Sequence, residues 1–266
     1  MTLRVCVAGA TGWAGSALAR SIAKAPDLEL VAAIARKHAG QALGDVLGEP
    51  RLTARVHASA AEALREPCDV FVEYTKPDVA RSNIVCALER GAHVVVGTSG
   101  LTDDDYVQID AVARKQKRGV LACGNFALTA VLLQKFSEAA SRLIPQWEII
   151  DYAHDDKVDA PSGTVRELAY RLSKDRAPEP TVPVAQTVGP REARGATVSG
   201  SQVHSIRLPS YVISAEVVFG MPGQRLTIRH DSGTSAEPYA EGALLAIRKV
   251  SGLVGVHRGL DSVLEL

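Results

Sequence analysis

Cysteine is scarce in this 266-residue chain: Cys6, Cys68, Cys86 and Cys123 are far apart, with no CxxC pair and no metal-ligand spacing. That offers no disulfide framework, predicts buried thiols of a reducing compartment, and gives no reason to expect a metal. Long apolar runs are missing too. None approaches the ~18 residues that a membrane helix needs, so no membrane partner is expected. Neither sign of charge is in excess, with 30 basic and 30 acidic residues. Without a basic stripe there is no nucleic-acid partner to expect, and without a block of like charge no disordered tail. A strand starting at about the third residue leaves no room for a signal peptide, so a cytoplasmic location is expected.

What is present is an alternation. "LRVCVAG" is a short β-rich run ending in glycine, and "ATGWAGSALARSIAKAP" has helical spacing of its apolar residues up to Pro26. "LELVAAIAR", "DVFVEYT" and "AHVVVGTSG" read as further strands, and "PDVARSNIVCALERG" and Asp103–Gln116 as helices between and after them. These strands are apolar throughout, which indicates a parallel sheet covered on both faces. The expected fold class is α/β: an N-terminal Rossmann-type doubly wound sheet over residues 1–125, with a smaller α+β domain after it.

From about Asn125 the pattern changes. Helices are expected over Leu128–Arg142 and Gly163–Lys174, and "APEPTVPVAQTVGPREARGATVSGSQ" reads as a long loop. "VHSIRLP", "YVISAEVVFG" and "QRLTIRHDS" partly alternate polar and apolar residues, the mark of an open mixed or antiparallel sheet with one exposed face. This second domain spans 126–235, and a C-terminal helix within 236–266 is expected to return to the first.

"GATGWAG" places Gly9, Gly12 and Gly15 three apart, opening a helix after an N-terminal strand. Glycines there permit a tight turn, backbone approach to a pyrophosphate and close helix packing. Gly9, Thr11, Gly12, Trp13 and Ala14 are therefore candidate dinucleotide contacts. An NAD site usually carries an acid about 20 residues further on. Here Ala35, Arg36, Lys37 and His38 stand at the end of the second strand. Cations suit a 2′-phosphate, so NADPH is the preferred cofactor and NADH a possible one.

In "DDKVDAPSGT", Pro161 suits the approach to a helix, Ser162, Gly163 and Thr164 offer hydroxyls and free N–H groups, and Lys157 adds a point charge. A carboxylate or phosphate is the natural guest. An ordinary helix cap with an exposed lysine is the alternative for the loop taken alone.

"EIIDYAHDDKVDAPSGT", with "GTSG", "GNFAL" and "HSIRLP…EVVFG…LTIRHDS", closely resembles the 4-hydroxy-tetrahydrodipicolinate (dihydrodipicolinate) reductase family of bacterial lysine and diaminopimelate synthesis, over nearly the whole chain. The resemblance implies a homotetramer, a second domain for substrate binding and oligomerisation, and hydride transfer from NAD(P)H to a cyclic conjugated dicarboxylate. It places His154, Lys157, Ser162, Gly163 and Thr164 at the substrate carboxylates. It places Gly97, Thr98, Ser99, Thr75, Asn125 and Phe126 near the nicotinamide, and Arg36 at the 2′-phosphate.

Three positions depart from the family pattern: Trp13 and Ala14 replace Arg-Met, Ser235 stands where an arginine is expected, and Ala153 replaces the first of two histidines, the acid/base. A methyl group delivers no proton. Lys157 is the first choice of substitute, since desolvation acidifies a lysine, with His154, Tyr152 or water as alternatives. Asp155 and Asp156 read as solvated loop carboxylates. The alternative function is a related NAD(P)-dependent imine or amine oxidoreductase acting on a different carboxylate substrate.

Overall fold

The structure, a computed structural model, describes residues 2–264. Met1, Glu265 and Leu266, at the outer ends of the expected ranges 1–125 and 236–266, lie outside the described residues. In chain order the elements are β1 (Leu3–Ala8), α1 (Trp13–Ile22), β2 (Leu28–Ile34), α2 (Leu43–Leu47), β3 (Arg55–His57), α3 (Ala60–Ala63), β4 (Val70–Glu73), α4 (Pro77–Glu89), β5 (His93–Val96), α5 (Asp103–Gln116) and β6 (Gly119–Ala122). There follow α6 (Leu128–Ser141), β7 (Gln146–Ala153), α7 (Gly163–Ser173), β8 (Ala196–Val198), β9 (Ser201–Arg207), β10 (Ile213–Met221), β11 (Gln224–Ser232), α8 (Glu237–Lys249) and β12 (Gly255–Arg258).

The chain divides into two compact units, one formed by the residues up to Leu128 and from Ala236 on, the other by Thr129–Ser235. The first holds a seven-stranded sheet in the order β12-β6-β5-β4-β1-β2-β3, parallel throughout. Helices cover both faces, so β4 and β6 are buried along their whole length and carry Val, Phe and Leu rather than an alternating pattern. Burying a side chain such as Phe71 or Ile84 in the core beneath α3, α4 and α5 contributes about 1.5–3 kcal/mol each.

Local signals place the helices. Pro77 occupies the first turn of α4. Thr102 and Asp105 form a reciprocal capping box at α5, which carries three acids in its first turn and Arg114 and Lys115 in its last. The C-terminal segment holds more than the expected helix. α8 ends at Lys249, and β12 then pairs with β6 at the sheet edge. Gly255, at φ +82°, provides the backbone turn into that strand.

The second unit holds a five-stranded mixed sheet, order β11-β10-β7-β9-β8, in which only β7 and β9 run parallel. One face is covered: Leu133 of α6 and Val165, Leu168 and Leu172 of α7 pack on Trp147, Ile149, Val217 and Phe219. The Pro- and Gly-rich loop is shorter than expected because β8 folds out of its end and pairs with β9.

Candidate active site

Sheet connectivity in the first unit reverses between β1 and β4: strands after β1 extend one way to β3, and those from β4 the other way to β6. In open α/β sheets ligands bind at the carboxyl ends of strands at such a switch point. The glycine turn lies there. Gly9 has φ +80°, and a Cβ on it would sit 2.4 Å from the Tyr74 carbonyl oxygen, while one on Gly15 would sit 2.1 Å from that of Gly9. Only glycine fits either position. Gly12 caps α1 without a side-chain hydrogen bond, and the first turn holds no acid. The leading N–H groups of Trp13 and Ala14 therefore have no intrahelical partner, which suits a pyrophosphate.

The remaining candidates of this unit fall at neighbouring strand ends: Arg36, exposed, just after β2; Thr75 after β4; Gly97, Thr98 and Ser99 after β5; and Asn125 and Phe126 after β6. Phe126 is buried edge-on against Tyr74, with ring centroids 5.8 Å apart, so its side chain is committed to packing. Gly97 is required by that packing, since a Cβ there would lie 2.1 Å from the Tyr74 ring. Trp13 is 62% exposed, its indole edge-on to Tyr239 at 5.4 Å.

The loop after β7 gathers the second group. Lys157 Nζ lies 2.6 Å from Asp159 Oδ1, and Arg166 Nη1, from α7, lies 3.7 Å from the other oxygen of the same carboxylate. The Lys157 hydrogen bond holds the Asp159 carboxyl below its usual range. His154 Nδ1 is bracketed by Asp155 at 3.0 Å and Asp156 at 2.8 Å, and both acids are exposed loop carboxylates, as expected. Ser162 caps α7, its Oγ accepting from the Val165 N–H at 3.4 Å. Gly163 and Thr164 open the helix with N–H groups that have no intrahelical partner.

Sequence reasoning missed what lies beneath this loop. Asp151 is fully buried, and its Oδ2 accepts from the Ser162 N–H at 2.9 Å, Ser205 Oγ at 3.2 Å and Arg207 Nη2 at 2.7 Å. Arg207 Nη2 also donates to the Asp159 carbonyl at 2.8 Å. This pair ties β7 and β9 to both ends of the loop. A polar residue at the same strand parity as Trp147 and Ile149 was the available signal.

Ala153 is fully buried on that same face. His230, across β10 from Asp151 through Ala215, is 4% exposed, with Nδ1 2.9 Å from Thr129 Oγ1. Burial pushes its pKa below the ordinary histidine value. Glu73 at the end of β4 was also overlooked: it is fully buried, and desolvation raises its carboxyl pKa against the lowering effect of hydrogen bonds from Thr75, Asn83 and Thr98.

A doubly wound sheet with a glycine turn at its switch point is a dinucleotide-binding arrangement, and the relatives of this chain put it in the class of NAD(P)H-dependent oxidoreductases. Within that class the chain belongs to the dihydrodipicolinate reductase family. The family's N-terminal model, "Dihydrodipicolinate reductase, N-terminus", matches residues 3–126 and its C-terminal counterpart matches 129–264. The chain is 38% identical to 4-hydroxy-tetrahydrodipicolinate reductase of Moorella thermoacetica, covering 99% of this chain and 98% of that one. It is 35% identical to the enzyme of the same name from Bacillus mycoides, covering 99% of each. A dipicolinate-bound dihydrodipicolinate reductase from Paenisporosarcina sp. TG-14 superposes with a TM-score of 0.88 at 30% identity, covering 99% of this chain and all of that one. An amine dehydrogenase from Mycobacterium smegmatis, 16% identical with a TM-score of 0.69 over 100% of this chain and 97% of its own, shares the fold.

Proposed function

We propose that the chain reduces 4-hydroxy-tetrahydrodipicolinate to tetrahydrodipicolinate in lysine and diaminopimelate synthesis, preferring NADPH and accepting NADH. The observation that carries this reading is the loop after β7, where Lys157 and Arg166 converge on one carboxylate, that of Asp159, just ahead of the start of α7. It accompanies the glycine turn that opens α1.

In this reading the first unit is the dinucleotide-binding domain. Gly9, Thr11, Gly12, Trp13 and Ala14 meet the pyrophosphate, Arg36 the 2′-phosphate, and Thr75, Gly97, Thr98, Ser99, Asn125 and Phe126 the nicotinamide. The reduced nicotinamide, when bound, supplies the hydride. The second unit binds substrate and mediates assembly of a homotetramer, in the cytoplasm. The N–H groups of Gly163 and Thr164, the Ser162 hydroxyl, His154 and Lys157 hold the substrate carboxylates.

The 4-hydroxyl must leave as water to give a conjugated imine; hydride addition to that imine builds negative charge on the adjacent atom, and a positioned acid that quenches it is worth about 10²–10⁴ in rate. With Ala153 unable to donate, Lys157 delivers that proton, its ammonium released from Asp159 as the substrate carboxylate arrives. The test is NADPH oxidation, followed in the ultraviolet, with freshly generated substrate. Turnover is expected. A folded chain that binds NADPH yet shows no turnover at high enzyme concentration would overturn the reading.

A further inference from the structure

Glu73 closes β4 at the switch point, its Cα paired with Ala8 on one side and Val96 on the other, and Gly9 follows Ala8 directly. A buried carboxylate is tolerated only where donors surround it. Here the Thr75 N–H donates to Oε1 at 2.6 Å, the Thr75 hydroxyl donates to the same oxygen, Asn83 Nδ2 donates to Oε2 at 2.9 Å, and Thr98 Oγ1 lies 3.3 Å from Oε1. The other oxygens near Thr98 Oγ1 are the Glu73 carbonyl at 3.2 Å and the Thr75 carbonyl at 3.4 Å.

A hydroxyl has one proton to give and two lone pairs with which to accept. Every protein atom near the Thr75 and Thr98 hydroxyls in this network is an acceptor, so both protons turn inward. Lone pairs are what the two hydroxyls keep for a ligand at the strand ends.

We infer that Glu73 is a positioning residue that sets cofactor specificity: by taking up the Thr75 proton it makes that hydroxyl a hydrogen-bond acceptor, beside Thr98, whose proton the Glu73 and Thr75 carbonyls also draw inward, selecting a ligand that presents an N–H donor. In a nicotinamide that donor is the carboxamide NH2. The inference rests on the reductase reading above and deepens it. Asn83 serves the same end by occupying Oε2, which leaves Oε1 to the threonines.

The test compares, by calorimetry, the Kd of NADP with that of its 3-acetylpyridine analogue, which keeps the 2′-phosphate and ring but replaces the NH2 by a methyl group. The parent is expected to bind NADP about tenfold more tightly, the size of one hydrogen bond. In Glu73→Met the Thr75 proton loses its acceptor, and the preference should fall towards one. Glu73→Gln should retain most of it, because the amide oxygen replaces Oε1 while the Asn83 amide turns over. Thr75→Val, which keeps the shape without the hydroxyl, should also lower the preference, and it decides the matter if Glu73→Met does not fold. Equal binding of the two dinucleotides by the parent, or an unchanged preference in folded Thr75→Val or Glu73→Met, overturns the inference alone. A folded parent that binds neither dinucleotide overturns the reductase reading and the inference together.

Discussion

Arg207 Nη2 lies 2.7 Å from Asp151 Oδ2 on the covered face of the second sheet, where the carboxylate has no exposure to solvent. The same carboxylate holds the Ser162 N–H, so the ion pair fixes the start of α7 against β7. Removing one partner leaves a charge and an N–H unsatisfied. Asp151→Ala should cost about 3–5 kcal/mol in denaturant unfolding. Asp151→Leu combined with Arg207→Met should cost less than Asp151→Ala alone, since an apolar pair leaves no orphaned charge. A double variant as unstable as Asp151→Ala, or more so, would refute this.

Lys157→Ala should lower kcat by about 10²–10⁴ if the ammonium delivers the proton. Placing a histidine at this position through Ala153→His should then change kcat by less than tenfold, because the acid role is already filled. A large gain in Ala153→His with little loss in Lys157→Ala would assign the proton to another donor.

Arg36 stands exposed just after β2. A charge-assisted contact to a 2′-phosphate is worth about 1.5–3 kcal/mol, so Arg36→Ala should raise the Kd for NADPH at least tenfold and leave that for NADH nearly unchanged. Tryptophan fluorescence offers a readout: Trp147 is buried and Trp13 exposed at the glycine turn, so quenching by the dinucleotide should vanish in Trp13→Phe. Equal losses for both cofactors would remove Arg36 from the 2′-phosphate.

His230 has its pKa lowered by burial. In the window between that depressed value and the ordinary one near 6.5, the unfolded chain binds more protons than the folded one, so stability rises with pH and is lost on acidification. Urea midpoints between pH 8 and pH 5 should fall on the acid side, and His230→Gln should flatten that fall in part. His93, also depressed by burial, retains the rest. Identical profiles for parent and variant would contradict the assignment.

Much of the first unit was legible because its signals are local. Gly9 and Gly12, Pro77 and apolar strands each reflect backbone geometry or burial that neighbouring residues reveal. β3 and β12 were missed because each is short and acquires its identity only by pairing with β2 or β6. In the second unit the loop residues from His154 to Thr164 were readable from their order, whereas Asp151, Arg207 and His230 were not. They lie on three different strands, and register alone brings them to one face.

By itself, then, the sequence determined the starts of the longer helices, the glycine turn, the residue order of the loop before α7 and the absence of an imidazole at Ala153, since these depend on residue type and short spacing. Tertiary structure decided which buried polar groups meet: Asp151 with Arg207 across the sheet, Lys157 with Asp159 and Arg166, and Glu73 with Thr75, Asn83 and Thr98. The direction of a hydrogen bond and the desolvation of a charge depend on what packs around them, and strand pairing supplies those neighbours from distant parts of the chain.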